Sequence, residues 1–226
     1  MRDHPRMKKI ECRSMFAAER NGFSMARALK ALKKSDPELI PLLDAYDIPD
    51  LEVKTNYFQA LVRSIIYQQL SGKAAQTIAQ RFKTLFGGTD LPDPHDVVIK
   101  DHQTLRSAGL SNSKASYIRN IAHAFLNGTI DHKNLGSMSN SEIVDQLISV
   151  KGVGPWTAQM FLMFTLNRPD IFPTTDLGIQ KGYKIFYKLP DLPKTADMEV
   201  RSQPWKPYRT AVSLYFWRLV EGPFTW

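Results

Sequence analysis

Apolar residues return at helical spacing along almost the entire chain, and this regularity restricts the available folds more than any other feature. Between Tyr57 and Gln69, the residues Phe58, Leu61, Val62, Ile65 and Ile66 fall at i, i+3, i+4, i+7 and i+8, one apolar face of a helix. A second helix begins near Ala74 and Ala75, carries Ile78, Ala79 and Phe82, and ends at Gly87-Gly88. "LPDPHDVV" reads as a loop leading into an aspartate-rich helix start, and "SNSKASYIRNIAHAFLNG" as a helix closed by Gly128. Ser139 and Glu142 form a capping box ahead of a helix that runs through Ile143, Leu147 and Ile148. Another helix starts at Pro155, where a missing N–H costs nothing, and buries Ala158, Met160, Phe161 and Phe164. A final helix from Arg209 to Val220 carries Tyr215, Phe216 and Trp217. No segment alternates convincingly with period two, and no repeat occurs at solenoid spacing. The expected fold is all-α.

Between two of these helices lies "KGVGP", where Gly152 and Gly154 flank Val153. Glycine admits positive φ and lets another backbone approach closely. The helix that follows offers N–H groups at its start, which suits a phosphate. The same residues also fit a plain αα-hairpin whose glycines only make the corner. Beyond the hairpin, Asp176 stands alone among apolar and neutral residues, after Pro173 and at the head of "DLGIQKGYKIF". Such an aspartate fits a helix N-cap, and it also fits a catalytic carboxylate.

The 226-residue chain is 43% hydrophobic, enough for a core, and its net charge of +8 favours a polyanionic partner, nucleic acid before an acidic membrane surface. A single cysteine, Cys12, excludes an intrachain disulfide, a cysteine-ligated zinc site and an iron–sulfur cluster. The histidines show neither HxxxH nor HxH spacing. No apolar run approaches the ~20 residues of a membrane span, and the start "MRDHPRMKKIECR" lacks the apolar centre of a secretory signal. A reducing, intracellular location is expected: cytoplasm with the nucleoid in a bacterium or archaeon, nucleus in a eukaryote.

Taken together, "VKGVGPWTAQMFLMF" and "FPTTDLG" resemble the helix-hairpin-helix (HhH-GPD) DNA glycosylase superfamily, with its Gly/Pro-rich loop and aspartate, and within it the 3-methyladenine DNA glycosylase II branch. "FQALVRSIIYQQLSGKAA" is similar to that branch's early helix and DNA-probing loop. "SAGLSNSKASYIRNIA" is similar to its second DNA-facing turn, and "SQPWKPYRTAVSLYFWR" to its C-terminal signature. The resemblance runs from about Ser24 to Glu221. It implies two helical lobes within residues 21–226, a cleft between them for DNA and the damaged base, and a hairpin at 148–156. Residues 1–20 are then a basic extension. It implies the compact form, without the additional N-terminal α/β domain of long bacterial members.

The resemblance also implies roles for particular residues. Asp176 takes the catalytic position. Trp156, Trp217 and Tyr215 take aromatic pocket positions suited to a cationic base, and Met160 stands where the best-known bacterial pattern has tyrosine. Gln69 takes the wedge position, with Leu70 beside it and Gln68 placed to probe the opposite base or the minor groove. Phosphate contacts fall to the N–H groups of Gly152 and Gly154, and to Thr157, Ser111, Ser113, Lys114 and Lys73. A monovalent cation, Na+ or K+, falls to the backbone carbonyls of Ile148, Val150 and Val153, while the chemistry itself needs no cofactor. Bifunctional relatives place a nucleophilic lysine two residues after the second hairpin glycine; Trp156 stands there, so a monofunctional hydrolase is expected. The implied reaction is excision of alkylated purines, such as 3-methyladenine or 7-methylguanine, from double-stranded DNA by a monomer, leaving an abasic site. A non-catalytic DNA-binding module, a glycosylase for deaminated bases such as hypoxanthine, and an all-α RNA-binding protein stay open. Tyr215 and Phe216 fit a core position equally well, and Lys206 and Arg209 fit either DNA contacts or solvated charges.

Overall fold

A computed structural model describes residues 24–70, 72–88 and 90–222; the expected extension at 1–20 lies outside them. Among the described residues every regular element is a helix. In chain order these are α1 (Met25–Ser35), a 3-10 turn (Pro37–Leu39), α2 (Ile40–Leu43), α3 (Tyr57–Tyr67), α4 (Gly72–Thr84), α5 (Pro94–Ile99), α6 (His102–Ser107) and α7 (Asn112–Leu126). There follow α8 (Asn140–Ile148), α9 (Pro155–Phe164), α10 (Leu177–Phe186), α11 (Thr195–Arg201), a second 3-10 turn (Gln203–Trp205) and α12 (Arg209–Glu221). They form two compact units. One is the continuous stretch Lys54–Phe161. The other joins the residues up to Val53 to those from Leu162 onward, so the boundary falls inside α9.

In the Lys54–Phe161 unit, α7 packs against both α3 and α5. The apolar stripe of α3 is buried along its length, and Asn56 caps the helix by accepting the Gln59 N–H at 3.0 Å. Phe58 meets Phe125 of α7 edge-on, with ring centroids 5.4 Å apart. The capping box at α8 closes in both directions: Ser139 Oγ accepts the Glu142 N–H at 3.3 Å, and Glu142 Oε2 accepts the Ser139 N–H at 2.7 Å. The apolar pattern overran α3 at its end. Gln68 leaves helical geometry with ψ 129°, so the helix stops at Tyr67.

In the other unit, α10 and α12 make the principal helix pair. Gly182 allows this closeness, since a Cβ there would lie 2.3 Å from the Phe216 carbonyl oxygen. Phe216 sits in an aromatic cluster with Trp205 and Tyr183, their ring centroids 6.0 and 5.6 Å from its own. The fully buried Trp205 donates its indole N–H to Asp36 Oδ2 at 2.6 Å. Arg201 reaches the same oxygen at 2.6 Å and Glu38 at 2.8 Å, stitching α11 to the segment after α1. Burial pushes the Asp36 pKa up, but the hydrogen bonds from Arg201 and Trp205, with the Arg201 charge, outweigh it and hold the carboxyl below its ordinary value. Arg209, at the head of α12, donates to both oxygens of Asp170 at 2.6 and 3.0 Å. That geometry commits Arg209 to the fold rather than to DNA or solvent.

Gly182→Ala should cost about 3 kcal/mol, because the new methyl group meets backbone that cannot swing aside; a lower thermal midpoint with unchanged helical content checks this. Asp36→Asn should cost about 2–3 kcal/mol at neutral pH by leaving Arg201 poorly paired. A carboxylate with a depressed folded pKa stabilises above its unfolded value of about 4, and this contribution is lost as pH falls through the folded pKa. Urea denaturation across pH should therefore show the variant and the parent converging in acid.

Candidate active site

Asp176 follows a tight turn in which its own N–H donates to the Pro173 carbonyl at 2.9 Å. It then caps α10, with Oδ1 accepting the Ile179 N–H at 2.9 Å. A second donor converges on the same oxygen: the indole N–H of Trp217, on α12, at 2.7 Å. The carboxylate is half-buried, while Trp217 is only 5% exposed and stacks on Phe164 with ring centroids 5.8 Å apart. Gly178 makes room for this indole. A Cβ there would come within 2.7 Å of Trp217 Cδ1 and 2.9 Å of Nε1. The N-cap role and a fixed orientation for chemistry are thus properties of one carboxylate, held from its own helix and from the neighbouring one.

The hairpin between α8 and α9 closes with the Val153 N–H donating to the Val150 carbonyl at 3.0 Å, and both valines are buried. Gly152 has φ +112°, and a Cβ there would lie 2.2 Å from Tyr117 Cγ on α7. Asn120, one turn further along α7, donates to the Lys151 carbonyl at 3.1 Å. Gly154 differs. Its φ is not positive, and among the described residues nothing beyond its chain neighbours lies within 4 Å of where a Cβ would stand. Its carbonyl accepts the Ala158 N–H at 3.0 Å, so it opens α9 and the positive end of that helix dipole lies at the hairpin.

After α3, the Tyr67–Leu70 segment turns sharply. Gln68 has φ −53° and ψ 129°, Gln69 has φ 55°, and the Leu70 N–H donates to the Tyr67 carbonyl at 3.4 Å. These values match a type II β-turn, whose third position favours glycine or asparagine. A glutamine in that left-handed conformation costs of order 1 kcal/mol. Gln69 is exposed, and Leu70 is 39% exposed.

Several expected contacts are revised by these surroundings. Tyr215 is fully buried and its hydroxyl donates to the Tyr46 carbonyl at 3.1 Å, so it belongs to the core rather than to a pocket. Met160, 2% exposed, is likewise core. The Thr157 side chain is also 2% exposed, and its hydroxyl accepts the Gln68 side-chain amide at 3.1 Å, so it holds Gln68 rather than a phosphate. The Lys114 ammonium donates to the Ile66 and Gln68 carbonyls at 2.8 and 2.7 Å, and burial pushes its pKa below the ordinary lysine value. Ser111 caps α7 through the Lys114 N–H at 3.2 Å; Ser111, Ser113 and Lys73 are exposed, and Trp156 is half-buried. Ile148 is the last residue of α8, where helix carbonyls lack intrahelical partners, and Val150 offers the lone pair its Val153 contact leaves.

Gly178, Tyr117 and Asn120 went unread in the sequence. Gly178 had a faint signal, since it lies four residues before Gly182 on the same face of α10. Among the described residues no cluster of histidine, cysteine, aspartate or glutamate could hold a metal ion, and no helix is long and apolar enough to cross a membrane.

The model of the HhH-GPD superfamily of base excision DNA repair proteins matches residues 62–207. The chain is 33% identical over 191 residues to DNA-3-methyladenine glycosylase 1 of Schizosaccharomyces pombe, covering 84% of each protein. The solved structure of the 3-methyladenine DNA glycosylase Mag1 from that yeast, in complex with abasic DNA, matches with TM-score 0.75 and 31% identity over 85% of this chain and 95% of its own. A DNA-3-methyladenine glycosidase from Bacillus halodurans matches with TM-score 0.79 and 34% identity over 88% and 92%. With a family match spanning most of the chain, and relatives that align over nearly their full length, the chain belongs to the HhH-GPD superfamily of base excision DNA repair proteins.

Proposed function

We propose that this protein is a monofunctional DNA N-glycosylase that excises alkylated purines from duplex DNA; the names of its relatives, DNA-3-methyladenine glycosylase and glycosidase, support the base class. The observation that carries the reading is the Asp176 carboxylate, held by its own helix start and by the Trp217 indole in a chain of this superfamily. Alkylation at adenine N3 or guanine N7 leaves the base positively charged. When the C1′–N bond breaks, the electron pair departs with the base and neutralises it, and positive charge develops on the sugar. A carboxylate fixed beside C1′ stabilises that charge and orients water, whose oxygen bonds to C1′ as a proton is lost. The glycosidic bond is hidden in duplex DNA, so the nucleotide must be flipped out. Trp156 supplies an aromatic face for the cationic base. Gln69 and Leu70, exposed on their turn, fill the gap in the stack. Trp156 in the lysine position supports hydrolysis without strand cleavage.

The hairpin supports a DNA backbone partner. Among the described residues nothing around its Cβ position requires glycine at 154, whereas an approaching phosphate at the start of α9 would. The carbonyls of Ile148, Val150 and Val153 fit a monovalent cation, since neutral oxygens suit hard ions; such an ion would add positive charge near the phosphate. DNA is the expected partner of a monomer.

Single-turnover release of 7-methylguanine from duplex DNA, measured with DNA affinity, tests the reading. Asp176→Asn should lower release at least about 100-fold with binding retained, and the abasic strand should stay intact. No release of any alkylated purine by the parent protein, with binding intact, would instead support a non-catalytic module. Release of hypoxanthine alone would support the deaminated-base reading. Trp217→Phe keeps a ring but removes the donor, and Gly178→Ala displaces the indole; each should lower release about 10- to 100-fold with little change in affinity. Gly152→Ala should cost about 2–3 kcal/mol of stability. Gly154→Ala should cost under about 1 kcal/mol but weaken DNA binding about tenfold, read from melting curves and titrations side by side.

A further inference from the structure

The turn after α3 contains a peptide with two ordinary orientations. In a type I turn the third residue has negative φ; in a type II turn it has positive φ, and the peptide between the second and third residues is flipped. Here that peptide joins Gln68 to Gln69, and its oxygen is the Gln68 carbonyl. This is the oxygen that the Lys114 ammonium holds at 2.7 Å, while another of its protons goes to the Ile66 carbonyl at 2.8 Å. Lys114 lies in the first turn of α7, where the dipole of its own helix disfavours a cation. The terminal carbonyls of α3 supply the compensating negative charge. Gln68 is also tethered at its side chain, by Thr157 Oγ1 at 3.1 Å.

We infer that Lys114 is a positioning residue: its ammonium locks the Gln68–Gln69 peptide in the type II orientation, and so sets the direction in which Gln69 and Leu70 present themselves to the DNA duplex. The inference takes from the glycosylase reading only the assignment of residues 68–70 to DNA. A phosphate ligand would need its ammonium exposed, whereas Lys114 is half-buried with two carbonyls on its nitrogen. Free of the lysine, the peptide can flip, Gln69 can relax to negative φ, and its side chain re-aims.

The test compares the parent with Lys114→Met and Lys114→Arg. In the free protein, hydrogen exchange at the Leu70 amide, which closes the turn, should accelerate about tenfold in Lys114→Met and stay near the parent rate in Lys114→Arg. The slope of log affinity for duplex DNA against log salt should not change, whereas loss of a phosphate contact would reduce it by about 1. The ratio of 7-methylguanine release from duplex to release from a single strand, which has no stack to repair, should fall about tenfold or more in Lys114→Met. Should Lys114→Met fail to fold, Lys114→Gln keeps a shorter, uncharged NH2 donor and should give intermediate values. Unchanged Leu70 exchange, or a lost unit of salt slope with an unchanged ratio, would overturn the inference. A parent that releases no base would sink the glycosylase reading, while the exchange measurement still decides what Lys114 does to the turn.

Discussion

The close approach of α10 and α12 is the constraint on which the candidate site depends. Gly178 and Gly182, one turn apart on the same face, remove the two side chains that would hold the helices apart. Their absence lets Phe216 and Trp217, neighbours on α12, reach in opposite senses: one into the aromatic core, the other to the carboxylate. The Trp217–Asp176 hydrogen bond therefore inherits its rigidity from helix packing. The energy that assembles the unit also orients the aspartate.

The hairpin glycines show a division of labour that their symmetry in sequence conceals. Gly152 answers to the interior, with a left-handed φ and an aromatic ring packed against its α-carbon. Beyond its chain neighbours, Gly154 has none of the described residues within 4 Å of where a Cβ would stand. The same residue type thus serves folding at one position and leaves a bare backbone at the other. Both are anchored by Val150 and Val153, whose side chains are buried in the turn.

Much of the helical architecture was legible in the chain. The apolar stripe of α3, the Ser139–Glu142 box and the Pro155 helix start are local patterns, and local patterns survive into the structure. The catalytic candidate was legible as well, because an aspartate after a proline turn at a helix head is marked by its neighbours. What was not legible depended on partners distant in sequence. Spacing says nothing of Tyr117 against Gly152, or of Thr157 taking the Gln68 amide. Tyr215 and Trp217 illustrate the limit. They share a helix and an aromatic character, yet one reaches a backbone carbonyl in the core and the other a carboxylate. The end of α3 was overrun for a related reason, since the glutamines there are good helix formers overruled by a turn with long-range ties.

The division of the chain between the two units bears on how it is made. Lys54–Phe161 is continuous in sequence, and α3 to α7 pack on one another within that stretch. On a growing chain this unit has all its parts once Phe161 has been added. The other unit has a different schedule. Its first helices precede the continuous unit, yet Asp36 waits for Arg201 and Trp205, and Tyr46 for Tyr215. Contacts of such long separation form late and carry the larger loop-closure cost. The Asp176 carboxylate and its tryptophan thus belong to the later-completed of the two units, so a ribosome-bound chain can hold a folded hairpin well before it holds an assembled candidate active site.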